Sequence, residues 1–62
     1  MDYQVLYVMH DGVNKGLLAQ FQMKSDAVIF IEAVSKYYDI KEYLLVNTWT
    51  DVEEVYRVAV TA

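Results

Sequence analysis

One stretch of this chain carries a helical pattern, and the runs on either side of it carry the pattern of strands. In residues 25–38 (SDAVIFIEAVSKYY) apolar side chains fall at Ala27, Phe30, Ile31, Val34 and Tyr38. That spacing puts them on one face of a helix. Val28, Ile29, Ala33 and Tyr37 widen the face, and Asp26, Glu32, Ser35 and Lys36 are its plainly polar positions. Ser25 is the expected N-cap, because its hydroxyl can accept from a free N–H of the first turn. Asp26 suits the positive end of the helix dipole and Lys36 the negative end. The β-branched pair Val28-Ile29 lowers intrinsic propensity, so packing must hold the segment helical. A strand over 27–31 is the rival reading; the cap and the length favour a helix over about 26–38.

The flanks alternate in the manner of strands. Residues 3–9 (YQVLYVM) are rich in β-branched and aromatic side chains and read as strand one. Asp11-Gly12 and Asn14 then supply turn chemistry, and residues 17–23 (LLAQFQM) read as strand two of a hairpin. Leu17, Ala19, Phe21 and Met23 occupy its odd positions and should meet the helix. A register pairing Met9 with Leu17 brings Tyr3, Val5 and Tyr7 to the same face and sets Gln4 opposite Gln22. Residues 43–50 read as strand three, 51–54 as a turn, and 55–61 as strand four, with Tyr56, Val58 and Val60 on the helix side. Thr50 and Glu53 also fit a capping box that would make 51–57 a short helix; the β-forming run VYRVAVT favours the hairpin. The expected fold is α+β: a ββαββ domain with a four-stranded antiparallel sheet in order 2-1-3-4 and one helix packed on one face.

Size then bears on how such a fold is stabilised. The chain has 62 residues, no cysteine, and 56% hydrophobic side chains. A domain this short buries only about 60% of its unfolded surface, and without disulfides such scaffolds often gain stability by oligomerising. The alternation places Leu6, Val8, Leu18, Leu45 and Trp49 on the sheet face away from the helix, with Tyr43, Val55, Arg57 and Ala59. A solvated face would be mostly polar. Aromatic and arginine side chains are also enriched at interface hot spots. Leu6, Leu18, Leu45, Trp49 and Arg57 are therefore the expected interface, and a homodimer is the favoured assembly.

Chemistry is sparse. His10 beside Asp11 lacks the convergent partners of a metal or general-base site and reads as a solvated turn residue. The run DGVNKG (11–16) has two glycines and a lysine but not the phosphate-loop spacing, and a strand follows it. Tyr37 and Tyr38 are expected to place one ring in the core and one at its rim. Asp51, Glu53 and Glu54 cluster in the expected turn between strands three and four. They lack the ligand count and glycine of a calcium loop and form an acidic tip able to meet a basic partner. No catalytic residue, metal or cofactor is expected.

Five basic against nine acidic residues give a formal charge of −4, which argues against general affinity for nucleic-acid phosphates. No run approaches the roughly 18 apolar residues of a membrane span. The start of the chain lacks the positive region of a signal peptide, so a cytoplasmic location is expected. These features suit a small non-enzymatic protein-interaction module that self-associates and acts as a regulator or inhibitor by binding another macromolecule. Its size suggests a phage or mobile-element origin. The alternative is a single-stranded nucleic-acid module stacking bases on the aromatic sheet face, drawn from Tyr3, Tyr7, Tyr43 and Trp49, of which the expected register leaves Tyr43 and Trp49 facing away from the helix.

Overall fold

The computed structural model describes residues 2–57. They form β1 (Tyr3–Val8), β2 (Lys15–Phe21), α1 (Lys24–Val34), β3 (Glu42–Asn47) and β4 (Val52–Tyr56). The strands make one antiparallel sheet in the order β2-β1-β3-β4, and α1 lies on one face of it, against β1 and β2. The ββαββ architecture and the strand order are those the alternation predicts. Positions 58–61 of the expected fourth strand lie outside the described residues.

The core follows from the helical face and the odd positions of β1. Ala27 and Ile31 of α1 pack on Val5, Tyr43 and Leu45, all five being almost wholly buried, and Phe30, Val34, Phe21 and Tyr3 close around them. Phe21 and Phe30 make the one ring pair between sheet and helix that is described, with centroids 5.3 Å apart. Burying this set is the main stabilising term, since each large aliphatic side chain contributes about 1.5–3 kcal/mol when fully buried.

The ends of α1 differ from expectation. Met23 occupies the N-cap position with extended backbone and no side-chain cap, so Ser25 is the second helical residue rather than the cap. The reason is the short link: β2 ends at Phe21, and Met23 already has its carbonyl accepting from Ala27 N–H at 3.3 Å. The helix closes at Val34, where Ser35, Tyr37 and Tyr38 form a tight turn with Tyr37 N–H and Tyr38 N–H both donating to Val34 O. Lys36 thus lies past the last turn. Tyr37 and Tyr38 are both exposed, and neither ring fills the core.

The β1–β2 register is shifted from the expected one. Tyr3 pairs with Phe21 and Gln4 with Gln20, then the register slips so that Leu6 pairs with Leu17 and Tyr7 with Gly16. Leu18 is the extra residue of a β-bulge. Strand parity therefore reverses at this point: Leu17 joins Leu6 on the open face, and Leu18 turns to the helix side. Gly16 completes the arrangement, because a Cβ there would come within 3.0–3.2 Å of the Tyr7 ring. The connecting loop is organised by Asp11, whose carboxylate accepts from Val13 N–H at 2.8 Å, Asn14 N–H at 2.9 Å and the Asn14 side-chain amide at 2.6 Å. The two backbone N–H groups are the main reason its carboxyl is held below the usual aspartate range. Gly12 takes φ +72°, which glycine adopts without a Cβ penalty.

Candidate interaction surface

Cross-strand pairing decides which side chains share a face, and β3 is where the expectation reverses. Tyr7 lies opposite Tyr43 and Val5 opposite Leu45. Tyr43 and Leu45 therefore join the odd positions of β1 beneath the helix, each about 1% exposed. Leu45 is a core residue and not part of an interface. Leu44 and Val46 take the open face in its place. β3 offers no local clue to this choice, because EYLLVN is apolar at both parities from Tyr43 to Val46.

The open face has three rows running across all four strands. The middle row is Leu17–Leu6–Leu44–Val55, one aliphatic residue from each of β2, β1, β3 and β4 in direct register. On one side of it lie Lys15, Val8, Glu42 and Arg57, with Arg57 Nε donating to Glu42 Oε2 at 3.3 Å. On the other side lie Gln20, Gln4, Val46 and Glu53. The stripe is least covered at the sheet edges, where Leu17 and Val55 are about half exposed. An aliphatic stripe spanning a whole sheet, bordered by rows that each hold three polar residues and one valine, and with no layer over it among the described residues, is the pattern of a contact surface rather than of scattered exposed side chains. Among the described residues this face has no aromatic side chain, so the expected stacking surface of Tyr43 and Trp49 is not assembled on it.

The five residues expected at the interface are thus divided. Leu6 and Arg57 are on the open face. Leu45 is in the core, and Leu18 is on the helix side. Trp49 lies beyond the end of β3, in the turn before β4, 81% exposed. Its indole N–H donates to Asp2 Oδ1 at 2.6 Å, while Thr48 N–H donates to Asp2 O at 2.8 Å, so the turn is tied to the start of β1. Leu17, Leu44 and Val55 are what sequence reasoning missed as interface residues. Leu44 and Leu17 needed the register to be found; Val55 was already visible at the correct parity.

The acidic tip is also divided. The tight turn spans 48–51, closed by Asp51 N–H donating to Asn47 O at 2.8 Å, and β4 starts at Val52. The short helix over 51–57 does not form. Asp51 alone of the three acids is in the turn, with φ +57°. Glu53 and Glu54 are successive strand residues and point to opposite faces. Glu53 borders the stripe, whereas Glu54 meets Lys24 across the helix side at 2.9 Å. The hydrogen bond to Glu54 is the first cause of the raised Lys24 pKa.

On the helix side, a cleft of about 510 Å³ opens between Tyr7, Leu18, Phe30, Val34, Tyr38 and Ile40. The bulged Leu18 forms one wall of it. Asp39 stands at the rim and accepts from His10 Nε2 at 2.7 Å, joining the β1–β2 loop to the segment after the helix. His10 thus pairs with Asp39, 29 residues away, rather than with its neighbour Asp11. No group of three or more His, Cys, Asp or Glu side chains that could hold a metal ion occurs among the described residues. No helix among them is long and apolar enough to cross a membrane. No protein-family model, curated protein or solved structure matches the chain.

Proposed function

We propose that this chain is a non-catalytic protein-interaction module, a regulator or inhibitor that binds another macromolecule and self-associates, with the helix-free sheet face as a protein-contact surface. The observation that carries the reading is the unbroken row Leu17–Leu6–Leu44–Val55, which crosses every strand of the sheet. Burying such a row is favourable at roughly 25 cal/mol per Å² of apolar surface. The charged and amide residues on either side give it a rim that can specify orientation. The same chain carries no disulfide to reinforce so small a core, so a protein contact on this face also stabilises the fold.

The test is a comparison of exposed positions. Leu17→Asp and Val55→Asp place charge at the two ends of the stripe, where the side chains are half exposed and the fold is expected to survive the change. Ile29→Asp places the same charge on the outer side of the helix, where Ile29 is largely exposed. The immobilised wild-type chain is expected to recover a protein, its own copy or another, that the two stripe variants lose and the helix variant keeps. Equal recovery by all three would remove the sheet face as the contact surface.

A further inference from the structure

The charge pattern around the stripe distinguishes between the ways it can be covered. Resting on the proposed contact surface, we infer that its first occupant is a second copy of this chain, packed face to face about a two-fold axis that runs along the stripe. A two-fold contact is self-complementary, so each row must be read against the row the axis brings over it. An axis along the stripe lays the middle row on its own counterpart and lays the Lys15–Val8–Glu42–Arg57 row over the partner's Gln20–Gln4–Val46–Glu53 row. Arg57, already held by its own Glu42, then faces the partner's Glu53, and symmetry makes this pair twice. Lys15 faces the partner's Gln20, which accepts a hydrogen bond. The competing axis, along the strands, stacks Lys15 on the partner's Arg57, and like charges there oppose association.

The resulting assembly is a four-layer sandwich, helix–sheet–sheet–helix, with the sheets about 10 Å apart as in other aligned sheet packings. It covers the aliphatic rows of both protomers. It leaves the helix, the Trp49 turn and the cleft walled by Leu18 and Phe30 facing outward on each side. A regulator built this way presents two copies of its outer surface to a target.

The chain has no cysteine, so single introduced thiols report the geometry directly. Leu17→Cys and Val55→Cys lie at opposite edges of the sheet, at half-exposed positions that do not disturb the core. With the axis along the stripe, each residue meets its own counterpart, so each variant alone is joined into a dimer by a short bismaleimide. With the axis along the strands, Leu17 meets the partner's Val55, and like positions are offset by about 14 Å along the stripe, three strand spacings. Light scattering on a sizing column across a wide concentration range supplies the mass. The expected result is twice the 7.2 kDa chain mass, self-linking by both single variants, and at least a tenfold weaker dimer for Arg57→Glu that Arg57→Glu/Glu53→Arg recovers.

A dimer in which the two variants link only when mixed overturns the axis and keeps the face. A dimer that neither variant links, alone or mixed, overturns both. A monomer at every concentration overturns the second copy as occupant; the contact-surface reading is then decided by whether Leu17→Asp still abolishes capture of a different protein.

Discussion

Tyr43 is buried to about 1% in the middle of the core, and its hydroxyl has no hydrogen-bond partner among the described residues. Burial pushes its phenol pKa up, because the charged form loses its hydration. Two outcomes follow for Tyr43→Phe, which keeps the ring and removes the orphaned oxygen. At neutral pH urea unfolding is expected to show stability unchanged or raised by about 1 kcal/mol. The raised folded pKa also means that Tyr43 supports folding fully below its unfolded pKa and withdraws that support as pH rises toward the folded value. The variant is therefore expected to lose less stability than the wild type in the alkaline range. Gly12 and Asp51 make a second comparison, since both backbones are left-handed. Gly12→Ala is expected to destabilise by about 1 kcal/mol and Asp51→Gly to stabilise by up to about 1 kcal/mol, because only glycine avoids the Cβ contact of that conformation. Chemical denaturation of the two variants in parallel checks the opposite signs.

At the scale of elements, α1 is held by its face and not by its ends. Its N-cap position is Met23, without a side-chain hydrogen bond, and its last turn has no basic residue. Ser25→Ala is accordingly expected to cost less than about 0.5 kcal/mol, below the usual loss of about 1 kcal/mol for a true cap. Ile31→Ala removes a wholly buried side chain from the same helix and is expected to cost about 2–5 kcal/mol. Thermal or urea unfolding followed by circular dichroism separates them, and a loss of about 1 kcal/mol or more for Ser25→Ala would mean that Ser25 caps the helix after all. The hairpin of β1 and β2 shows the other side of element-level reasoning. Turn chemistry in DGVNKG located the loop correctly, since Asp11, Gly12 and Asn14 act on their own neighbours. The bulge at Leu18 left no such mark. LLAQF alternates too weakly at its start to say which leucine is the extra one, and the Tyr7 ring lying across Gly16 is a contact between strands.

For the whole molecule, the decisive pair is Leu44 and Leu45, neighbours in β3 that serve different surfaces. Leu45 packs beneath the helix, while Leu44 lies in the open stripe. Leu45→Asp buries an unpaired charge and is expected to abolish folding, with loss of the helical and sheet circular dichroism signals. Leu44→Asp is expected to keep those signals and to prevent association at concentrations where the wild type dimerises. Sizing with light scattering reads the second outcome; a folded Leu45→Asp variant would reverse the assignment of the two faces. The kinds of element, their order and the sheet order were legible in the sequence, because hydrophobic period, turn residues and short connections are local properties of the chain. The helical face Ala27, Phe30, Ile31 and Val34 was legible for the same reason. Which face β3 turns to the helix, where β2 bulges, and hence which aliphatic residues form one row were decided by the tertiary structure alone. Leucines and valines stand at both parities of these strands, so local alternation is silent. Only the pairing of Val5 with Leu45 and of Leu6 with Leu17 and Leu44 divides them between core and surface.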